Sequence, residues 1–189
     1  MRNGLIRWVL YTALALGANA AVAQDMAAAE AAREGTMKKL VFHSEPKAVE
    51  DVPFGDLSGG THSLSDYKGQ VVVLNFWATW CAPCRHEMPM LSNLQETFAG
   101  KNVEVVTIAT GRNMPAAINR FFDEIEVDNL PSFVDPKQAL ARKMSVFGLP
   151  VTVILDAEGR EVARMQGDAE WDSESAVAVL EALIPASVN

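Results

Sequence analysis

The spacing of apolar and polar positions changes several times along the chain. Val71 to Trp77 is a near-continuous apolar run, the pattern of a strand buried on both faces. Val103 to Ala109 repeats that pattern. Between them Met88, Leu91, Leu94 and Phe98 recur at helical spacing, which predicts a helix from near Cys81 to about Phe98. Met114 to Glu124 is also helical, with Pro115 suited to the first turn. A short strand over Leu130 to Val134 and a helix from Pro136 to about Met144 follow. Val151 to Leu155 and Glu161 to Met165 form a hairpin around Asp156-Ala157-Glu158-Gly159. Ser173 to Ile184 is a final amphipathic helix, with Asp172 or Ser173 as its cap and Trp171 packing beside it. Upstream, Phe54 to Leu64 reads as two short strands about a Ser58-Gly59-Gly60 turn, and Ser65 to Gly69 as a single turn. Strands alternating with helices, then a hairpin and a helix, predict an α/β fold with a mixed central sheet flanked by helices and an N-terminal β-hairpin extension.

The start of the chain follows none of these patterns. Arg2 and Arg7 precede an uncharged run from Trp8, and Ala21-Val22-Ala23 is a small-x-small cleavage signature. Residues 1–23 therefore read as a secretory signal. The alternative is an uncleaved anchor over residues 5–22, at the short edge of what spans a bilayer. Either reading places the domain outside the cytoplasm, and a bacterial periplasm fits best. Residues 24–50 are expected to be a flexible N-terminal arm. Within them Asp25 to Lys39 is alanine- and charge-rich, an arm or a marginal helix poor in core-forming side chains, with Met26 and Met37 as its only large apolar residues. The folded domain is expected over residues 51–187.

Charge removes one class of partner. The net charge is -8 over 189 residues, the wrong sign for displacing counterions from nucleic-acid phosphates. Two cysteines, Cys81 and Cys84, are too few for a disulfide-stapled scaffold or a four-cysteine zinc site. His43, His62 and His86 are scattered. No metal site and no cofactor is expected.

The chemistry is expected at Cys81-Ala82-Pro83-Cys84, which follows a buried strand and opens a helix. Both thiols fall in the first turn, close enough to form a disulfide. A Cys81 thiolate there faces unpaired backbone N–H groups and the positive end of the helix dipole, both of which favour the anion. Pro83 is tolerated because a first-turn residue need not donate an intrahelical bond.

The segment Phe76-Trp-Ala-Thr-Trp-Cys-Ala-Pro-Cys-Arg-His-Glu-Met-Pro89 resembles the active site of thioredoxin-fold proteins. More narrowly it is similar to the exported TlpA/ResA-like thiol–disulfide oxidoreductases, whose fold is shared with redoxins of the AhpC/TSA type. Leu64-Ser-Asp-Tyr-Lys-Gly69, Gly148-Leu-Pro-Val-Thr152 and Asp156-Ala-Glu-Gly-Arg160 extend the likeness over about Pro53 to Ile184. The resemblance implies a thioredoxin-like fold and a redox-active Cys81–Cys84 disulfide. Cys81 would be the nucleophile and Cys84 the residue that resolves the mixed disulfide. It implies a cis Leu149–Pro150 bond, with Pro150 against the sulfurs and the Leu149 backbone free to pair with a substrate strand. Trp80 and Pro83 complete the expected substrate-binding surface.

One departure matters. Thioredoxin carries a buried aspartate two residues before the tryptophan matched to Trp77, and this chain has Asn75 there. Glu87 stands three residues after Cys84 on the same helix face and is the candidate proton acceptor. The plainer reading of Glu87 is a solvated glutamate near a helix start. His86 is read as exposed in preference to copper-ligating, and Arg85 as a solvated charge.

The resemblance favours the reducing direction. It implies protein substrates with cysteine pairs in the periplasm and a membrane thiol transporter as electron donor. The expected clients are a copper chaperone or an oxidase copper site in respiratory-chain assembly. Apocytochrome c is the alternative client, disfavoured because no acidic residue follows Pro150. A copper-binding chaperone is the alternative of another class, but the cysteine spacing does not match such proteins. A thiol peroxidase would need threonine where Ala78 stands.

Overall fold

The computed structural model describes residues 25–185. The expected signal segment and anchor lie outside the described residues. The strands are β1 (Val41–Lys47), β2 (Phe54–Asp56), β3 (Thr61–His62), β4 (Val71–Trp77), β5 (Val103–Thr110), β6 (Phe133–Asp135), β7 (Val151–Leu155) and β8 (Glu161–Gln166). The helices are α1 (Ala82–Thr97), α2 (Pro115–Glu124), α3 (Ala139–Lys143) and α4 (Glu174–Glu181). The strands form one mixed sheet in the order β1-β8-β7-β4-β5-β6-β2-β3.

β4 lies inside this sheet because it has nothing to offer solvent. Each of its residues is buried, and it pairs parallel with β5 and antiparallel with β7. Successive side chains point to opposite faces. Val71, Val73 and Trp77 therefore join Met88, Leu91 and Leu94 of α1 in one core. Val72, Leu74 and Phe76 join Val106, Ile108 and Val153 in the other. The same parity sends Asn75, the one polar residue of the strand, to the α1 side.

The expected hairpin extension is present. β2 pairs with β3 and is itself added antiparallel to β6. The 130–144 stretch is trimmed relative to its expected elements. β6 begins only at Phe133, and Gln138 takes a left-handed conformation (φ 54°) before α3 starts. The Asp135 carboxylate, receiving the Ala139 and Ala141 amides at 2.7 and 3.0 Å, fixes that later start.

Residues 25–47 correct the expectation of an arm poor in core-forming side chains. Residues 25–31 are helical, Gly35–Lys39 form a 3-10 turn, and β1 pairs antiparallel with β8. Met26, Ala29, Met37 and Leu40 are buried in the α1-side core. The Glu34 amide donates to Ser175 Oγ (2.8 Å), Ser175 Oγ donates to the Ala32 carbonyl (2.9 Å), and the Glu170 amide donates to Thr36 Oγ1 (3.0 Å). The segment is thus folded against α4 and the loop before it, and the domain begins ahead of residue 51.

Candidate active site

α1 starts where the sheet ends, and Cys81 is its N-cap. The Cys81 backbone is extended, and its sulfur accepts the Cys84 amide at 3.3 Å. A serine or aspartate oxygen usually takes that place at a helix start. Ala82 and Pro83 occupy the first two helical positions, where no intrahelical donor is required.

Cys81 and Cys84 are joined by a disulfide, with Cα atoms 5.3 Å apart. Cys84 is fully buried, while Cys81 retains 6% exposure. Of the two, only Cys81 has any contact with solvent. Trp80 is exposed beside it. The Leu149–Pro150 bond is cis. Val151 pairs with Phe76, so Pro150 stands at the end of β4 from which the cysteine loop departs. Leu149 packs against the core that contains both cysteines. Among the described residues, no hydrogen bond engages its backbone.

Behind the disulfide lies a buried polar cluster. Glu87 is fully buried. Asn75 Nδ2 donates to Glu87 Oε1 at 2.7 Å, while Trp171 Nε1 and the Ala169 amide donate to Oε2 at 3.0 and 3.3 Å. Asn75 Nδ2 also donates to Thr152 Oγ1 at 2.9 Å, across the β4–β7 register that sets the two residues opposite each other. Burial is the largest influence on Glu87 and raises its pKa. The three hydrogen bonds oppose this, the nearby Asp168 charge adds to it, and the outcome is about 7. The solvated reading of Glu87 is excluded by this burial.

Other residues have structural tasks. Arg85 stacks over Phe121, 4.2 Å from the ring centroid, and reaches Glu124 at 3.3 Å, so it ties α1 to α2. His86 is exposed, with Nδ1 3.6 Å from Asp168. Among the described residues, no group of three or more His, Cys, Asp and Glu side chains could hold a metal ion.

Three contributors are not visible in the sequence, and a fourth only as a packing residue. Trp171 is a donor to Glu87 as well as a packing residue, and Ala169 and Thr152 complete the cluster. Asn113 accepts from the Thr79 amide and hydroxyl at 2.8 and 3.0 Å, bracing the cysteine loop against the loop after β5. Only the Trp171 position carried any local signal, through its place before the last helix.

A disulfide-bonded cysteine pair at a helix start, with a cis-proline at the neighbouring strand end and a buried carboxylate on the same helix, defines a thiol–disulfide oxidoreductase of thioredoxin fold. Residues 46–163 match the AhpC/TSA family. The chain is similar to the thioredoxin-like protein YneN of Bacillus subtilis, with 37% identity over 123 residues covering 65% of this chain and 71% of that protein. It is 35% identical to the thiol-disulfide oxidoreductase ResA of the same organism over 124 residues, 66% of this chain and 68% of ResA. A solved exposed lipoprotein thioredoxin from Streptococcus pneumoniae is 30% identical with a TM-score of 0.59, covering 68% of this chain and 98% of that one. The chain belongs to the AhpC/TSA family and, within it, to the TlpA/ResA-like oxidoreductases.

Proposed function

We propose that the protein is a periplasmic reductant of cysteine pairs in respiratory-chain assembly, acting on a copper chaperone or an oxidase copper site. The observation that carries the chemistry is Glu87, a buried carboxyl with a pKa of about 7 on the Cys84 face of α1. Such a group takes up or returns a proton at neutral pH with little driving force in either direction.

In the reduced protein, the Cys81 thiolate is stabilised by the Cys84 amide and the start of α1. It attacks one sulfur of a client disulfide. The client S–S bond breaks, a Cys81–client mixed disulfide forms, and the second client sulfur leaves as a thiolate. Cys84 gives its proton to Glu87 and attacks Cys81 Sγ. The mixed disulfide breaks, the first client sulfur leaves, and the Cys81–Cys84 disulfide forms. Two electrons pass to the client, and Glu87 returns the proton. Leu149 offers its free backbone to the client strand, Pro150 walls the sulfurs, and Trp80 and Pro83 form the approach.

The leader-like residues 1–23 support an exported location, with a membrane thiol transporter restoring the dithiol. The copper-site client rests on Val151 following Pro150, where the apocytochrome c reading would want an acid. Equilibrating the protein with glutathione buffers tests the direction. A potential near or below about −200 mV is expected, and one near about −120 mV would mark an oxidant and overturn the proposal. Comparing reduction rates of a disulfide copper-site peptide and an apocytochrome c haem-site peptide separates the two clients.

A further inference from the structure

Among the described residues, four large apolar side chains are exposed: Val41 (61%), Trp80 (67%), Met114 (62%) and Phe147 (88%). Single exposed apolar residues are ordinary on a protein surface. Here, three of the four occupy three different loops at one end of the sheet. Trp80 follows β4, Met114 follows β5, and Phe147 precedes β7. β4 and β5 run parallel and β7 runs antiparallel to both, so their C-terminal ends and its N-terminal end lie together. Phe76 pairs with Ile108 on one side and Val151 on the other. The Met114 loop and the Phe147 loop therefore flank the cysteine loop on opposite sides.

Both flanks are anchored. Asn113, next to Met114, is bonded to Thr79 and donates Nδ2 to the Thr110 carbonyl at 3.0 Å. On the other side Val146 and Pro150 are buried, which holds Phe147 out between two fixed points. Neither residue contributes to the polar cluster behind the disulfide. Their burial by something outside the chain would be favourable.

We propose that Met114 and Phe147 are specificity-determining residues that select the client. They take bulky apolar side chains on the two sides of the client cysteine, with Trp80 between them at the reactive sulfur. The substrate class is then an extended, cysteine-bearing protein segment with apolar flanks, in preference to a small or charged disulfide. The occupant follows from continuity with the redox site, since any disulfide that reaches Cys81 must cross this mouth. The inference rests on the reading of Cys81 as the attacking sulfur.

The test uses the reduced protein and three oxidants: a disulfide peptide with leucine and phenylalanine beside its cysteine, the same peptide with serine and aspartate there, and hydroxyethyl disulfide. Met114→Ser, Phe147→Ser, the double variant and a Val41→Ser control are compared. The double variant should lose about tenfold or more in second-order rate toward the apolar peptide, in keeping with two apolar contacts forgone. Its rates with the other two oxidants, its reduction potential and all rates of the control should be unchanged. An undiminished rate with the apolar peptide, or an equal loss with all three oxidants, overturns the proposal. A wild-type protein whose Cys81→Ser variant still forms the mixed disulfide would instead overturn the underlying reading.

Discussion

Trp171 Nε1 donates to the same Glu87 oxygen that receives the Ala169 amide. The loop that opens the last helix therefore sets the environment of a carboxyl in the first. Removing the indole donor while keeping an aromatic ring, in Trp171→Phe, takes away one of the bonds that lower the Glu87 pKa. The Glu87 midpoint should rise above about 7, read by carboxyl NMR titration. The lost buried bond should cost about 1–3 kcal/mol, read by urea unfolding.

Glu87 also makes stability depend on pH. Its pKa in the folded state is about 7 against an ordinary 4.5. The native state therefore holds a proton that the unfolded chain has already released between those values. Its contribution is fully present below about pH 4.5 and is lost as pH rises through about 7, by about 3 kcal/mol. In Glu87→Gln this loss should be absent. Subtracting the two unfolding free energies across pH 4 to 8 isolates it, and a flat difference would contradict the assignment.

The same substitution bears on the reaction. If Glu87 accepts the Cys84 proton, Glu87→Gln should slow resolution of the mixed disulfide at pH 7 by about 10²-fold or more. The initial attack by Cys81 should change far less. Rapid-mixing kinetics with a chromogenic disulfide separates the two steps.

Restoring the thioredoxin-like acid is expected to harm this protein. Asn75→Asp sets a second carboxyl against Glu87 where an amide now donates at 2.7 Å. Both cannot ionise together, so the pair should titrate in two widely separated steps. Above pH 8 the variant should lose about 3–5 kcal/mol of stability, measured by denaturant midpoint.

The N-terminal segment should contribute to the core. Leu40 is fully buried among α1-side residues. Leu40→Ala should cost about 2–5 kcal/mol in urea unfolding. A cost within about 0.5 kcal/mol would mean that the segment folds separately from the domain.

The parts legible in the sequence share a property: their signal is local. The apolar run of β4, the helical spacing of α1 and the cysteine pair at their junction can all be read within a few turns of chain. Glu87 is legible because it is the third residue after Cys84 on one helix. Trp171 and Thr152 are not, because they meet Glu87 and Asn75 only through sheet register and chain return. The packing of residues 25–47 is hard to read from the sequence for a related reason. Ala29 and Met37 make a weak pattern on their own, and their burial is supplied by α4 and α1. β1 hides as well, since Val-Phe-His-Ser-Glu-Pro-Lys lacks the alternation of a half-buried strand.

That composition has a consequence for self-association. An eight-stranded sheet ends in two rows of unpaired backbone groups, which invite strand addition from any unfolded chain nearby. One border, β3, is only two residues long. The other, β1, carries Glu45, Pro46 and Lys47 and loses regular register between Phe42 and Lys47. Charge, a missing amide donor and irregular pairing each discourage templating. Among the described residues both borders are therefore poor templates, so the sheet itself resists growth by strand addition.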